Sequence, residues 1–133
     1  MSKQPIPLPG GNLEYAVLVA LWDLTGGTAR QIHERVGIPE GLVYTTTAKV
    51  LDRLQLKGLV TRERKGRVFF YRPKIARVVV ERARARSVLD QIFGLDAAPA
   101  IAALVDGVES IDPRLLDDLA KMVAARRRSR HGS

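Results

Sequence analysis

The sequence contains no cysteine, which excludes disulfide bonds, thiolate metal sites and cysteine nucleophiles. Histidine is almost as scarce, with only His33 and His131. Neither has a neighbour at a spacing that would form a catalytic dyad or a metal-binding pair. The adjacent Asp117 and Asp118 fall on a predicted helix, where their side chains point about 100° apart, so we expect surface charges. The sequence therefore predicts neither an enzyme nor a bound cofactor or metal ion.

Long apolar runs are also absent, and no stretch reaches the roughly 18 residues that a membrane-spanning helix needs. Residues 1–11 contain one lysine and no apolar run, unlike a signal peptide. Aromatic residues make up only 5% of the chain, whereas hydrophobic residues make up 46%. We therefore expect a cytoplasmic protein with a mostly aliphatic core.

Positive charge is in excess and is unevenly distributed along the chain, whose formal net charge is +8. Residues 1–74 contain 12 Lys and Arg against 6 Asp and Glu, whereas residues 75–125 contain 6 against 8. Residues 126–130 add four arginines. A basic excess suggests a polyanionic partner. Composition alone is equally consistent with ordinary solvated charged faces.

The first half of the chain predicts three helices, at residues 13–24, 28–37 and about 43–57. Asn12 is the expected N-cap of the first helix, and Thr28 begins a capping box at the second. Gly58 follows the third helix, where a left-handed residue is needed. The buried stripe of that helix is predicted to contain Thr47, Val50, Leu51 and Leu54.

A β-hairpin is predicted next, with strands at residues 59–64 and 68–72 joined by a turn at Lys65-Gly66. Phe69 and Tyr71 would share one side of this hairpin and form its core. Three helices followed by a hairpin is the order of a winged helix-turn-helix. The predicted fold class is therefore mainly α with a small β-hairpin wing.

The second half predicts helices at residues 75–93, 97–105 and from Pro113 onward, with Gly107 as a stop and Asp112 as a cap. These short helices cannot form an independent core from roughly 55 residues. We therefore expect a homodimer in which a second copy covers their apolar faces. The candidate dimerisation residues are Val79, Leu89, Ile92, Phe93, Ile101, Leu104, Leu116, Leu119 and Val123.

Four segments follow from these patterns. They are a flexible N-terminal arm at residues 1–11, a winged-helix DNA-binding domain at 12–74, a helical dimerisation domain at 75–125 and a basic tail at 126–133. We expect the arginine-rich tail to be frayed and solvated rather than bound to DNA.

The third helix carries the candidate DNA contacts on the face opposite its apolar stripe: Tyr44, Thr45, Thr46, Lys49 and Arg53. Such side chains can bind phosphates, touch thymine methyl groups or read base edges. An alternative is that Thr45 and Thr46 only begin the helix, while Arg53 pairs with a neighbouring carboxylate.

The hairpin tip supplies further candidate phosphate contacts, which are Arg64, Lys65 and Arg67, with Arg62 beside them. The alternative is a solvated edge hairpin that its charge keeps from associating. Thr28 and Arg30 could also meet phosphate, because they lie at the start of the second helix.

The order of several motifs resembles the penicillinase-repressor (BlaI/MecI) family. The motifs are Tyr44-Thr45-Thr46, Val50-Leu51-Asp52-Arg53-Leu54, Lys57-Gly58-Leu59-Val60 and, downstream, Ile92-Phe93-Gly94 and Ile111-Asp112-Pro113. The resemblance implies a homodimeric repressor that binds inverted-repeat operators in front of antibiotic-resistance or stress genes. It also implies that operator contacts map onto Tyr44, Thr45, Thr46, Lys49 and Arg53. Because the family often has Thr where this chain has Lys49, base preference there is expected to differ.

The resemblance further implies a possible partner, a membrane-bound sensor protease pathway that leads to cleavage within the dimerisation domain. The bond cleaved in staphylococcal members aligns near Ala103 and Leu104, the candidate proteolysis region, but their Asn-Phe pair is missing here. The missing pair argues against induction by that protease, and whether release occurs by proteolysis stays open. The Cys-x-Cys mechanism of a copper-responsive branch is excluded, because the chain has no cysteine.

Two other functions remain open from the residues alone. The basic face could dock an acidic protein, or the chain could bind DNA or RNA without sequence preference.

Overall fold

The structure is a computed structural model that describes residues 8–94 and 96–131. Its elements are α1 (Asn12–Leu24), β1 (Gly27–Thr28), α2 (Ala29–Ile32), a π-helical turn (His33–Gly37), α3 (Tyr44–Leu56), β2 (Val60–Lys65), β3 (Val68–Pro73), α4 (Arg77–Phe93), α5 (Ala97–Ile111) and α6 (Pro113–His131). This order confirms a mainly α fold with a small β wing. The chain divides into two compact units after Arg86, inside α4. Most of the predicted N-terminal arm, residues 1–7, lies outside the described residues, as do residues 132 and 133 of the predicted tail.

The core of the first unit lies between α1, α3 and the sheet. Its fully buried side chains are aliphatic, as the composition predicts, and include Val17, Leu18, Leu21, Ile32, Val50, Leu51, Leu54, Leu59, Val60 and Val80. Within α3 the predicted stripe is confirmed, because Thr47, Val50, Leu51 and Leu54 are all buried. Burial of this stripe leaves the opposite side of α3 exposed.

The wing belongs to a three-stranded antiparallel sheet with the order β1-β3-β2. β1 was not predicted, because two residues are too short to show a strand period. The predicted Lys65-Gly66 turn is shifted by one residue: Lys65 pairs with Val68, which leaves Gly66 and Arg67 as the turn. Gly66 has a φ of 65°, a left-handed conformation that favours glycine.

The helix ends of the first unit agree with the sequence at two sites and differ at one. Thr28 forms the predicted capping box, since its hydroxyl accepts from the Gln31 backbone N–H (3.2 Å) and its own N–H donates to the Gln31 side chain (2.8 Å). Gly58 has the predicted left-handed conformation, with φ 78°. Asn12 is not the N-cap, because α1 begins at Asn12 itself, after Gly11.

The second predicted helix is not a regular α-helix to its end. It changes after Ile32 to a π-helical turn, in which the Ile38 N–H donates to the His33 carbonyl at 2.7 Å. A Cβ at Gly37 would collide with His33 Nδ1 and with the hydroxyl of Thr47 on α3. Only glycine therefore allows this turn to approach α3 so closely.

Hydrogen bonds hold α1 against the start of α4. The Trp22 indole N–H donates to the Ile75 carbonyl (3.0 Å), and the Tyr15 hydroxyl donates to Glu81 (2.6 Å). The Arg84 guanidinium lies 3.5 Å from the centroid of the Tyr15 ring. The Tyr15 hydrogen bond and the nearby Arg84 charge lower the pKa of Glu81. These contacts explain why the first unit includes the beginning of α4.

The second unit contains the end of α4 together with α5 and α6, and two predictions about it are wrong. α5 does not stop at Gly107 but continues to Ile111, since the glycine keeps a helical conformation and the chain breaks only at Asp112-Pro113. The arginines at 126–130 are helical rather than frayed, because α6 runs to His131. Arginine is a good helix former, and cations in a last turn complement the helix dipole. The predicted cap is confirmed, since Asp112 accepts from the Arg114 N–H at 3.0 Å.

Candidate nucleic-acid interface

The outer face of α3 is formed by residues spaced at three or four positions, which places them on one side of a helix. Thr45, Lys49, Asp52 and Leu56 form this stripe, and all four are exposed. Among the described residues, Lys49 has no ion pair. The structure therefore presents Thr45 and Lys49 outward, as predicted for DNA contacts, and adds an acidic and an apolar residue that the sequence analysis did not select.

The five predicted contact residues of α3 do not share a single face. Tyr44 turns toward the wing, where it lines a groove, and Arg53 turns toward α1. Thr46 is half-buried near the start of the helix, where its N–H donates to the Val43 carbonyl at 3.1 Å. This spread follows from the helical period, since the five residues span more than two turns.

The wing groove, about 450 Å³ in volume, separates α3 from the wing. Its polar lining residues are Thr28, Arg30, Tyr44, Asp52, Arg62, Arg67 and Tyr71. Thr28, Arg30, Tyr44 and Arg67 were selected from the sequence, although they come from three separate parts of the chain. Folding thus brings together predicted contacts that no local pattern connects.

The wing carries aromatic rings flanked by cations. The guanidinium groups of Arg62 and Arg64 lie 4.3 and 5.9 Å from the Phe69 centroid. Lys65 lies 4.6 Å from the Phe70 centroid on the wing. The prediction that Phe69 and Tyr71 are both core residues is wrong for Phe69, which is 38% exposed while Tyr71 is 5% exposed. The two side chains point to the same face of the hairpin. At Tyr71 this face packs into the core, whereas at Phe69, closer to the hairpin turn, it is flanked by arginine side chains.

Arg53 has the carboxylate partner that the alternative interpretation requires. Its Nε lies 3.8 Å from Glu14 Oε2, and Lys57 Nζ lies 2.7 Å from Glu14 Oε1. The Gly10 N–H also donates to Glu14 at 3.0 Å. Because the Arg53 side chain remains 57% exposed, the ion pair orients it without removing it from solvent.

Glu14 is an ionised carboxylate that is only 7% exposed. Burial raises the pKa of Glu14, but hydrogen bonds from Lys57 and the Gly10 N–H, with the charges of Lys57 and Arg53, outweigh burial and lower it. Neither Glu14 nor Lys57 was selected from the sequence. The available signal was the spacing of Glu14 from the buried Val17, Leu18 and Leu21, which places a carboxylate on the inner face of α1.

His33 was predicted without a partner, and the structure gives it two contacts on α3. Its Nδ1 lies 2.8 Å from the Thr47 hydroxyl, and its ring meets the Tyr44 ring edge-on with centroids 5.6 Å apart. The Thr47 side chain is buried, so this hydrogen bond satisfies its hydroxyl. His33 therefore helps to hold the beginning of α3, and with it Tyr44 and Thr45, in place.

Two other kinds of site are absent from the described residues. No cluster of three or more His, Asp or Glu side chains is arranged to hold a metal ion. No helix of the described chain is long and apolar enough to cross a membrane.

Comparison with known proteins identifies the family. The sequence profile described as penicillinase repressor matches residues 10–125. A Mycobacterium tuberculosis protein described as transcriptional regulator BlaI is 36% identical over 115 residues, which are 86% of this chain and 82% of that protein. The solved DNA-binding domain of the repressor BlaI aligns at 24% identity and a TM-score of 0.48, covering 53% of this chain and 88% of that one. The PcaV transcriptional regulator of Streptomyces coelicolor aligns at 27% identity and a TM-score of 0.49, over 80% and 77% of the two chains. Because the family match spans most of the sequence, this chain belongs to the penicillinase repressor family of transcriptional regulators.

Proposed function

We propose that this protein is a homodimeric, sequence-specific repressor that binds a palindromic DNA operator and acts by binding rather than catalysis. The observation that supports this most is the exposed stripe of α3, with Thr45 and Lys49 pointing outward beside the basic wing. An α-helix fits the major groove of B-DNA, where each base pair presents a distinct pattern of donors and acceptors. In this family, the regulated genes would be antibiotic-resistance or stress genes, and the protein would act in the cytoplasm.

The contacts divide into base-reading and backbone-binding groups. Thr45 and Lys49 are assigned to base edges because they lie on the outer stripe of α3, which would enter the major groove of DNA. Thr46 is assigned with them because it lies in the first turn of the same helix, although it is half-buried. Backbone phosphates are assigned to the residues of the wing groove, the wing and the flanks of α3: Thr28, Arg30, Tyr44, Arg53, Arg64, Lys65 and Arg67. Phosphate contacts fix the position of the protein on DNA, whereas base contacts supply the sequence preference.

A second protomer would cover the apolar faces of the helical second unit. None of the described residues of α5 or α6 is buried, although these helices carry Ile101, Leu104, Leu116, Leu119 and Val123. Within this unit Val105, Leu116, Leu119 and Val123 line an apolar depression of about 470 Å³. Leu89, Ile92 and Phe93 at the end of α4, also not fully buried, complete the proposed dimer surface of this unit. Val79, the remaining proposed dimer contact, is half-buried and belongs to the first unit. A two-fold dimer would match the symmetry of a palindromic operator.

Release by a membrane-bound sensor protease pathway remains part of the proposal. Ala103 and Leu104 lie in the middle of α5. A protease binds an extended chain, so cleavage there would require local unfolding of α5. Limited proteolysis that cuts α5 only when the helix is destabilised would support this route.

Fluorescence anisotropy tests the proposed function. The full-length protein is titrated into a labelled duplex from the region upstream of its own gene, and into a scrambled duplex of equal length, over a series of salt concentrations. A preference for the native duplex at physiological salt, with two protomers per site, is expected. Equal binding that disappears with salt would indicate a non-specific nucleic-acid-binding protein. Absence of any sequence preference at every salt concentration, together with weak binding, would favour docking to an acidic protein.

A further inference from the structure

The wing groove contains an acidic side chain on the very surface that we assign to DNA. Asp52 lies on the outer stripe of α3, three positions after Lys49, and its side chain is 55% exposed. Of the residues that the structure describes as lining this groove, Asp52 is the only acidic one. An uncompensated carboxylate there would repel the phosphates of an approaching DNA duplex. Its presence on a DNA-binding face therefore needs a physical explanation.

Arg62 is positioned to neutralise that carboxylate. It lies on β2 opposite Tyr71 of β3, and its Nη1 is 3.3 Å from Asp52 Oδ1. The same guanidinium lies 4.3 Å from the centroid of the Phe69 ring. One arginine thus contacts a carboxylate on α3 and an aromatic ring on the wing, and both contacts direct it across the groove.

The ion pair is too exposed to matter much for folding. The two side chains are 36% and 55% exposed, and ion pairs between exposed side chains contribute little to stability. Their effect on the local charge is larger, because the pairing leaves Arg30 and Arg67 as the cations of the groove that have no ion pair among the described residues. The groove is then positive and can accept a polyanion.

We propose that Arg62 is a positioning residue that cancels the charge of Asp52, rather than a residue that binds phosphate. The proposal rests on the proposed DNA-binding function and assigns a role that was not predicted for either residue. If Arg62 masks Asp52, the effect of losing Arg62 depends on whether Asp52 is charged. If Arg62 instead binds phosphate directly, losing it costs the same affinity with or without that charge.

A double-mutant cycle separates these two roles. The full-length Arg62→Gln, Asp52→Asn and doubly substituted proteins are titrated into the upstream duplex and into the scrambled duplex at low salt. Arg62→Gln is expected to weaken binding about fivefold, because it unmasks one negative charge near the phosphates. Asp52→Asn is expected to bind at least as tightly as the wild type. The double variant is expected to recover wild-type affinity within about twofold.

The controls distinguish charge masking from other effects. Arg72 lies on β3 beside Phe70, so Arg72→Gln removes a wing charge without changing the Asp52 pair, and its effect should be the same with and without Asp52→Asn. Thermal unfolding of every variant checks the fold. Equal losses from Arg62→Gln in both backgrounds would overturn the proposal, as would weaker binding by Asp52→Asn alone, which would indicate that the pair orients the wing.

The failure of the proposed function would be visible separately. If the wild type binds the upstream and the scrambled duplex equally well, the proposed function as a sequence-specific repressor is wrong. Coupling between Asp52 and Arg62 on the scrambled duplex would still support charge masking, since phosphate repulsion does not depend on sequence. Its absence on both duplexes would overturn the masking role whatever the wild type prefers.

Discussion

Lys49 and Arg67 are both exposed cations, but they occupy different parts of the proposed interface. Lys49 lies on the outer stripe of α3, and Arg67 lies in the turn of the wing. We expect Lys49→Ala to cost about 1–3 kcal/mol of binding free energy and to relax preference at one base position. We expect Arg67→Ala to weaken all duplexes alike and to lower the salt slope by about 1.

Anisotropy titrations against a set of single-base variants of the upstream duplex measure both effects. Glu40→Gln is a suitable control, because this exposed residue lies outside the groove and the outer stripe of α3. A uniform loss of affinity from Lys49→Ala across all duplexes would contradict its assignment to a base edge.

Glu14 makes the stability of the first unit depend on pH. Its pKa is lowered in the folded protein, so its stabilising contribution is present above the ordinary glutamate range and is lost as pH falls through the lowered value. We expect Glu14→Gln to lower the free energy of unfolding by about 1–2 kcal/mol at neutral pH, because Lys57 and Gly10 lose their charged acceptor.

Thermal unfolding of wild type and Glu14→Gln at pH 7 and at about pH 3 checks the direction of this linkage. The difference in Tm between the two proteins should shrink at the lower pH. Glu34→Gln is the matched control, because it makes the same substitution at an exposed position of the first unit. A Tm difference that grows on acidification would show that the contribution of Glu14 has the opposite sign.

At the scale of single elements, two glycines differ in whether their surroundings can accommodate a side chain. A Cβ at Gly107 would meet open space in the helical conformation of α5, whereas a Cβ at Gly37 would collide with His33 and Thr47. We expect Gly107→Ala to stabilise α5 by about 0.5–1 kcal/mol and Gly37→Ala to destabilise the first unit. Circular dichroism during thermal unfolding measures both changes. A destabilising effect of Gly107→Ala would contradict this expectation and would favour Gly107 as a helix end.

The helices and the wing could be predicted because their signals are local. The buried stripe of α3 follows from a repeat of three to four residues, and the capping box at Thr28 follows from a four-residue pattern. Gly107 was wrongly predicted to end its helix, because glycine occurs both at helix ends and at unconstrained positions within helices. Only the ending at Asp112-Pro113 has a second, independent signal in the proline.

The candidate site was predictable by residue type but not by arrangement. Charge and hydrogen-bonding capacity selected Thr28, Arg30, Lys49 and Arg67, which the fold places on α3, near the wing or around the groove. The pairs that determine the local charge join residues far apart in sequence. Glu14 with Lys57 is one such pair, and no local pattern specifies which side chains will meet across the core.

At the scale of the whole molecule, the exposed apolar side chains of α5 and α6 predict self-association. We expect Leu116→Asp to convert a dimer to a monomer, because it places a charge in the apolar depression beside Leu119 and Val123. Affinity for a palindromic duplex should then fall by about a hundredfold, since two half-sites would no longer be bound together.

Sedimentation velocity of the wild type and the variant measures this change. Ala125→Asp is the matched control, because it adds the same single negative charge to an exposed position of α6 outside the depression. Fluorescence of Trp22 reports whether the first unit remains folded. A Leu116→Asp protein that remains dimeric, or a wild type that is monomeric when it binds DNA, would contradict the proposed dimer surface.

Hydroxyl-radical footprinting of the wild-type protein on its upstream duplex tests the central claim most directly. In the proposed complex, one α3 lies in the major groove of each half-site, with a wing on the backbone beside it. We therefore expect two protected segments related by two-fold symmetry, with their centres about one or two helical turns apart. Protection confined to one segment, or spread evenly along the duplex, would contradict a dimeric repressor that recognises a palindromic operator.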